Sequence, residues 1–284
     1  MLRANAANWW FAIYKERFGA LFHWAAPMDF LTRLRAAAKA AGLHLLGSMT
    51  LALICAGLVF SIWYPSVFAS LAGGRELFVL VVAVDVVCGP LLTLVLYNPV
   101  KPRRELARDL GFVVLIQLVA LGYGLQTVWL ARPLYLVLET DRFRVIAAPD
   151  VDVRELHNLP KDMQPQLLSG PMTIGLRPPK DETERMKVLL ESVAGGRDYA
   201  QRPDFFLPYT PEVGLRAVQR FKPLERFLNA HPEQRKKAED VSMLHGLQVA
   251  TLRYLPVVGR EDWIALLDTQ AQIVGFLKGD GFIN

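Results

Sequence analysis

The sequence predicts a membrane α plus α+β protein, three transmembrane helices followed by a small exported α+β domain. Three observations carry that expectation. Hydrophobic residues make up 52% of the 284 residues, more than in an ordinary soluble chain, and the mean hydropathy is +0.24. The apolar residues are concentrated in three stretches, 43–64, 77–97 and 111–131, each near the roughly 20 residues that a helix needs to cross a hydrocarbon core. Buried helices of a soluble core rarely run that long without charges. After Arg132 the pattern changes to short β-like segments mixed with amphipathic helices. The expected organisation is an N-terminal cytoplasmic segment (1–42), a three-helix transmembrane region (43–131) and a C-terminal domain (132–284).

Charge gives the orientation, because basic residues mark the cytoplasmic side of short loops. Arg3, Lys15, Arg17, Arg33, Arg35 and Lys39 precede the first span. Lys101, Arg103, Arg104 and Arg108 lie between the second and third, whereas the loop between the first and second has only Arg75, beside Glu76. The N-terminus and the second loop are expected inside, the first loop and the C-terminal domain outside. From Arg132 onward the chain is balanced, with 21 basic and 21 acidic residues, so the net charge of +5 reports the cytoplasmic segments. Such a charge suits contact with anionic lipid head groups. It does not indicate nucleic acid, which calls for a basic stripe on a folded domain.

The elements follow in order. In "NWWFAIYKERFGALFHW", Trp10, Tyr14, Phe18 and Phe22 recur at i+4, the pattern of an in-plane interfacial helix. Alternatively, translation starts at Met28, which opens a complete lead-in to the first span. Span one ends in "FSIWYP", where Trp63 and Tyr64 are expected to form an interfacial aromatic belt and Pro65 to stop the helix. This span is too long and too far from Met1 for a cleaved signal peptide, so a retained anchor is expected. "LYLVLETDRFRVIAA" reads as two strands around a turn at 139–141, and "PDVDVRELHNLP" as an extended piece and a short helix. "SGPMTIGLRPPK" reads as a link. "DETERMKVLLESVAGG" has acids in its first turn and glycines at its end, which makes it a helix. The 209–241 region reads as helical pieces broken by Pro223 and Pro232. Strands close the chain, with turns near Gly259 and 268–270.

No motif in the domain commits it to chemistry. HExxH, GxSxG, P-loop and CxxC patterns do not occur there. "VAGGRD" follows a helix and makes a poor phosphate cradle. Asp150 and Asp152 lack the other ligands of a calcium loop. His157, His231 and His245 are scattered singly. The two cysteines, Cys55 and Cys88, both fall in spans, so the domain has neither a disulfide nor a Cys zinc site. Catalytic residues, cofactors and metals are all expected to be absent.

The candidate site is in the membrane. Asp85 interrupts "LFVLVVAVDVVCGPLLTLVLY", and an acid at mid-membrane costs about 2.5–3.5 kcal/mol even on a lenient scale, so it should face other helices or a polar cavity. At about 1.5 Å per residue, counting from the span ends places Asp85 level with Tyr123, with Gln126 and Thr127 one turn above. His44 and Ser48 fall nearer the cytoplasmic side. Gly89 and Pro90, one turn below, are expected to kink the helix and free carbonyls for a neighbour. Asp85 either pins span two to span three, or meets another membrane helix, or serves proton or ion passage, for which three helices and one acid make a thin route.

These residues resemble a known family. "GLHLLGS" and "WYP" at the ends of span one are part of the likeness. So are "VDVVCGPLLTLVLYNP", the following "KPRRELARDL" and the later "RPLYLVLETDRFRVI". Together they are similar to the type IV pilin accessory proteins of the TfpX/TfpZ type, strongly over residues 40–150 and only in general layout beyond. The N-terminal forty residues are longer than that pattern. The resemblance implies a non-enzymatic bacterial inner-membrane factor with its C-terminal domain in the periplasm. Its partner would be a cognate type IV major pilin, whose assembly or stability it modulates. The shared positions are Asp85, Gly89, Pro90, Asn98, Pro99, Arg103 and Arg104; with Tyr123 they make the candidate interaction set. A further expectation is that Asp85 meets a polar group of the pilin helix. Self-association also fits. The alternative class is a membrane-anchored sensor with a ligand-binding periplasmic domain, which the short cytoplasmic segments disfavour.

Overall fold

The computed structural model describes residues 30–283. The expected interfacial stretch and the alternative start at Met28 lie outside these residues. Helix α1 (Phe30–Leu58) continues through a π-helical turn, Val59–Trp63. A short helix α2 (Phe68–Leu71), α3 (Gly74–Leu96) and α4 (Arg103–Leu130) follow. The span Phe30–Trp63, α3 and α4 are each long and apolar enough to cross a membrane. All three start earlier than the apolar stretches do, α3 by three residues and the other two by more. "RAAAKAAG" and "RRELARDL" are rich in strong helix formers, so the helix continues past the hydrocarbon-length run. Pro90 lies inside α3 without ending it.

The described chain divides into two compact units whose boundaries fall inside the spans. One takes the chain up to Thr50 together with Val84–Val119; the other takes Leu51–Ala83 together with the chain from Ala120. The second unit is built on a mixed sheet.

Strand β1 (Pro133–Leu138) is buried along its whole length and forms a hairpin with β2 (Phe143–Ala147). The hairpin turn is closed by Glu139 N–H donating to Arg142 O at 2.9 Å, where the sequence places it. The strand order is β4-β3-β1-β2-β6-β7-β8, with β5 also paired to β6. Here β3 is Met172–Leu176, β4 Phe206–Pro208 and β5 Lys222–Pro223. The closing strands are β6 (Arg253–Val258), β7 (Trp263–Leu267) and β8 (Ile273–Lys278). Two parallel pairings, β1 with β3 and β2 with β6, join otherwise antiparallel neighbours. Pro256 sits in β6 where neither β5, which reaches Tyr254, nor β2, which begins at Val257, needs its missing N–H.

The link read at 169–180 contains β3, a correction. Its five residues lie between Pro171 and Pro178, too short for a period to show, and tertiary pairing with β1 and β4 makes it a strand. Helices α5 (Glu182–Val193), α6 (Pro211–Leu215), α7 (Leu224–Ala230) and α8 (Arg235–Leu244) fall where the sequence places helical pieces. Asp181 caps α5, its carboxylate accepting from Glu184 N at 2.8 Å.

The π-turn end of the first span, the start of α3 and the end of α4 pack together in this unit. The aromatic belt at the end of span one is a second correction. Trp63 and Tyr64 are buried in protein, because the π turn, closed by Tyr64 N–H on Val59 O at 2.8 Å, redirects the last residues of the helix. Tyr64 donates its hydroxyl to Val128 O at 2.8 Å. Its ring lies where a Cβ on Gly74 would come within 2.2 Å, so the absent side chain at 74 is what admits it.

The loop between the first two spans is part of the sheet's packing. Leu71 is buried among Leu136, Leu138, Phe143, Leu255, Val257 and Trp263. Phe68 meets Phe276 edge-on at 6.2 Å. The Leu71 carbonyl accepts from Arg260 N–H at 2.7 Å, and Gly259 has no Cβ to obstruct that approach.

Two predictions follow from this packing. Leu71→Ala removes a buried side chain from a formed core, so the full chain should lose about 2–5 kcal/mol in denaturant unfolding. An unchanged midpoint would mean that the loop is a passive connector. The second concerns Glu184, which accepts both Arg177 Nη atoms at 2.9 Å and Lys180 N–H at 2.6 Å. These donors, Arg177 foremost, hold its carboxyl down at about 2. A depressed folded value stabilises above the unfolded pKa, about 4.3, and that contribution is lost as pH falls toward about 2. Glu184→Gln should flatten the fall of unfolding midpoint between those pH values; an unaltered slope would remove the ion pair from the acid response.

Candidate functional site

The first unit carries the intramembrane polar residues. Asp85, Gly89 and Thr93 are spaced four apart on α3, so they share one helix face, and all three are buried. Across from them on α4 lies Gln117, 9% exposed. Its amide nitrogen donates to the Asp85 backbone carbonyl at 2.9 Å and to Asp85 Oδ1 at 3.1 Å.

Gly89 makes the crossing possible. A Cβ there would lie 2.1–2.3 Å from the Gln117 amide atoms. Pro90, next to it, has no N–H, so the Val86 carbonyl loses its donor in the helix. Gln117 donates one residue away from that interruption, to the carbonyl of Asp85.

Two turns below Asp85, His44 Nδ1 lies 2.5 Å from Thr93 Oγ1 and links α1 to α3. Ser48 is buried one turn along from His44. The Oε1 of Gln117 is buried and receives no donor among the described residues. The arrangement is thus a polar layer between apolar helices, carrying one unused acceptor.

The expected partner of Asp85 needs correcting. Tyr123 is 73% exposed. It lies six residues beyond Gln117, about 240° further round the helix at 3.6 residues per turn. The depth count took the apolar runs as the helix ends. α3 in fact begins at Gly74, before the apolar run, which puts Asp85 nearly a turn deeper along its helix and brings Gln117 to its level. Gln117 was legible in principle: it is the single polar residue of "FVVLIQLVALG", at i+4 from Val113 and i−4 from Leu121, both buried.

The loop residues do not converge on Asp85, and helical rise alone puts Asn98 about 20 Å along the chain from it. Asn98 Oδ1 accepts from Val100 N–H at 3.1 Å, and its carbonyl accepts from Lys101 N–H at 3.1 Å, which closes a turn that Pro99 occupies. Lys101 Nζ pairs with Asp109 at 2.6 Å and fastens the turn to α4. Arg103 and Arg104 are exposed at the start of α4.

Fold and site define a membrane protein with a polar layer among its spans and an α+β domain after them. Comparison with known proteins gives the family. The model described as "Fimbrial assembly protein FimB" matches residues 32–73, which run from α1 through the π turn to the loop that holds Leu71. The Dichelobacter nodosus fimbrial assembly protein of serogroup I is 33% identical over 249 residues, 87% of this chain and 96% of the relative. That of serogroup E1 is 32% identical over the same length and shares. That of serogroups C1 and C2 is 42% identical over 120 residues, 42% of this chain and 92% of the relative. No solved structure matches. The chain belongs to the fimbrial assembly protein family, in agreement with the type IV pilus accessory resemblance of its motifs.

The site generates a double-mutant test. Asp85→Ala and Gln117→Ala should show a coupling of about 0.6 kcal/mol, the average for hydrogen bonds between membrane helices, in unfolding of the detergent-solubilised chain. In a Gly89→Ala chain the Gln117 amide is displaced and the coupling should fall to zero. The overall stability of Gly89→Ala should shift little, since about 1 kcal/mol of helix propensity offsets the lost bond. Coupling that survives Gly89→Ala would show that Gly89 does not position Gln117.

Proposed function

We propose that the protein is a non-enzymatic accessory factor of type IV pilus assembly, seated in the bacterial inner membrane. Its N-terminus faces the cytoplasm and its α+β domain the periplasm. It binds a cognate major pilin and modulates its assembly or stability. Membership of a family whose relatives are named fimbrial assembly proteins carries this reading. The polar layer supports it at the level of residues. Asp85 and Gln117 leave a buried acceptor, Gln117 Oε1, without a donor. In lipid, a passing apolar helix with a hydrogen-bond donor at that depth is a natural complement, one that would exchange with the Gln117 amide now seated over Gly89.

Such a bond is weak, which suits a factor that must release its client. Tyr123, exposed on α4, offers a second polar contact further along the same helix. Asn98 and Pro99 set the cytoplasmic turn, and Arg103 and Arg104 meet anionic lipid head groups there.

Site-specific photo-crosslinking in cells tests the reading, with the probe at Val84 beside Asp85 and at Thr140 on the β1–β2 turn. A pilin adduct at either position is the expected result, lost at Val84 when Asp85 is replaced by Asn. Adducts only between copies of this chain, with normal piliation in a deletion strain, would overturn it.

A further inference from the structure

We infer that the turn 166–169 is a membrane-insertion tip, which seats the α+β domain on the lipid surface through the side chains of Leu167 and Leu168. Ser169 N–H donates to Gln166 O at 3.3 Å, so the two leucines occupy the central positions of a β-turn. Those positions ordinarily carry Gly, Pro, Asn or Asp, which supply the backbone angles and local hydrogen bonds of a turn. Here both are large and apolar, and they are 61% and 69% exposed.

The turn's place in the fold identifies what covers them. The Leu167 carbonyl accepts from Trp63 Nε1 at 3.0 Å, and Trp63 is the last residue of the first span. A Cβ on Gly170 would lie 3.1 Å from the Ile62 carbonyl, so the strand leaving the turn runs against the same helix end. An indole N–H at a span terminus ordinarily reaches the head-group layer. Here Trp63 is buried, and the carbonyl that takes its N–H lies level with the end of the span, with the two exposed leucines beside it.

The backbone is prepared for such surroundings, where polar groups must find partners inside the protein. Gln166 N–H donates to Ser169 Oγ at 2.9 Å, the same hydroxyl donates to Gln166 O at 3.1 Å, and Trp63 satisfies Leu167 O. Pro165 and Pro171 flank the turn and add no donors of their own. The ligand is the interfacial region of a phospholipid bilayer, entered to about 5–10 Å as by other interfacial apolar faces. Pilin is not involved, so this inference stands or falls apart from the function proposed above.

The test uses the full chain in vesicles of phosphatidylethanolamine and phosphatidylglycerol. A nitroxide at Leu168→Cys, in a Cys55→Ala, Cys88→Ala background, should relax more readily with dissolved oxygen than with a water-soluble nickel chelate. A lipid carrying a diazirine near the top of its acyl chain should also label 166–169 in the unsubstituted chain. That labelling should be lost from the turn in a Leu167→Asn, Leu168→Asn double variant but kept on the spans. Preferential relaxation by nickel, or acyl-chain labelling confined to the spans, would place the turn in water and overturn the inference.

Discussion

The closed junction at the end of the first span is the constraint on which the second unit depends. A helix that leaves a bilayer has carbonyls and aromatic donors to satisfy, and here the protein satisfies them itself. Tyr64 closes on Val128, Trp63 on Leu167, and the Leu71 carbonyl on Arg260. Each contact needs a small residue beside it: Gly74 under the Tyr64 ring, Gly170 against Ile62, Gly259 against Leu71. The connection between two spans thereby becomes a piece of sheet core, and the domain is fixed to the membrane region by packing as well as by its chain connection at Arg132. Arg132 itself is buried there, stacked on Trp129 at 4.1 Å with its guanidinium donating to the Trp129 carbonyl.

The first unit is held differently. Lipid tails are as apolar as the side chains they surround, so helix association there rests on packing and a few hydrogen bonds. Gln117 to Asp85 and His44 to Thr93 are two of those bonds, and α3 takes part in both. The contrast has an energetic meaning. Leu71 is buried against water, where removing it from contact costs several kcal/mol. A bond between helices in lipid averages well under 1 kcal/mol. If a client helix exchanges with Gln117 for contacts on α3, it competes on near-equal terms, whereas nothing of comparable strength would open the second unit.

Much of this was legible in the sequence, and the exceptions share a cause. The three spans, the β1–β2 hairpin, α5 and the closing strands declare themselves through long apolar runs, period-2 segments, caps and turns. β3 and β4 do not, because five and three residues beside prolines carry no readable period, and only their neighbours make them strands. Asp85 and Gly89 stand out as an acid and a small residue in an apolar run. Gln117 does not, because hydropathy marks the hydrocarbon-length run and not the helix end, so depth counted from it misaligns α3 and α4. By composition alone, Trp63 and Tyr64 match a lipid-facing belt. Their burial follows from the π turn and from partners at 128 and 167, which no local pattern announces.

These exceptions bear on what the matched family segment, 32–73, contains. It begins in the basic, Ala-rich start of α1, passes through His44 and Ser48, and ends with the loop that plugs the sheet. The matched segment therefore carries one partner of the intramembrane layer on its helix and the junction residues Trp63, Tyr64 and Leu71 beyond it, at the π turn and in the loop. A substitution in its apolar middle need only preserve hydropathy to keep it spanning. One at Tyr64 or Leu71 must also fit a glycine-lined space built by residues at 74 and 259. The chemical demands on this segment are thus concentrated at its ends. Within the second unit, the residues that shape this end of the segment lie before β1 at Gly74, in the β6–β7 turn at Gly259, and on the loop into β3 at Leu167 and Gly170.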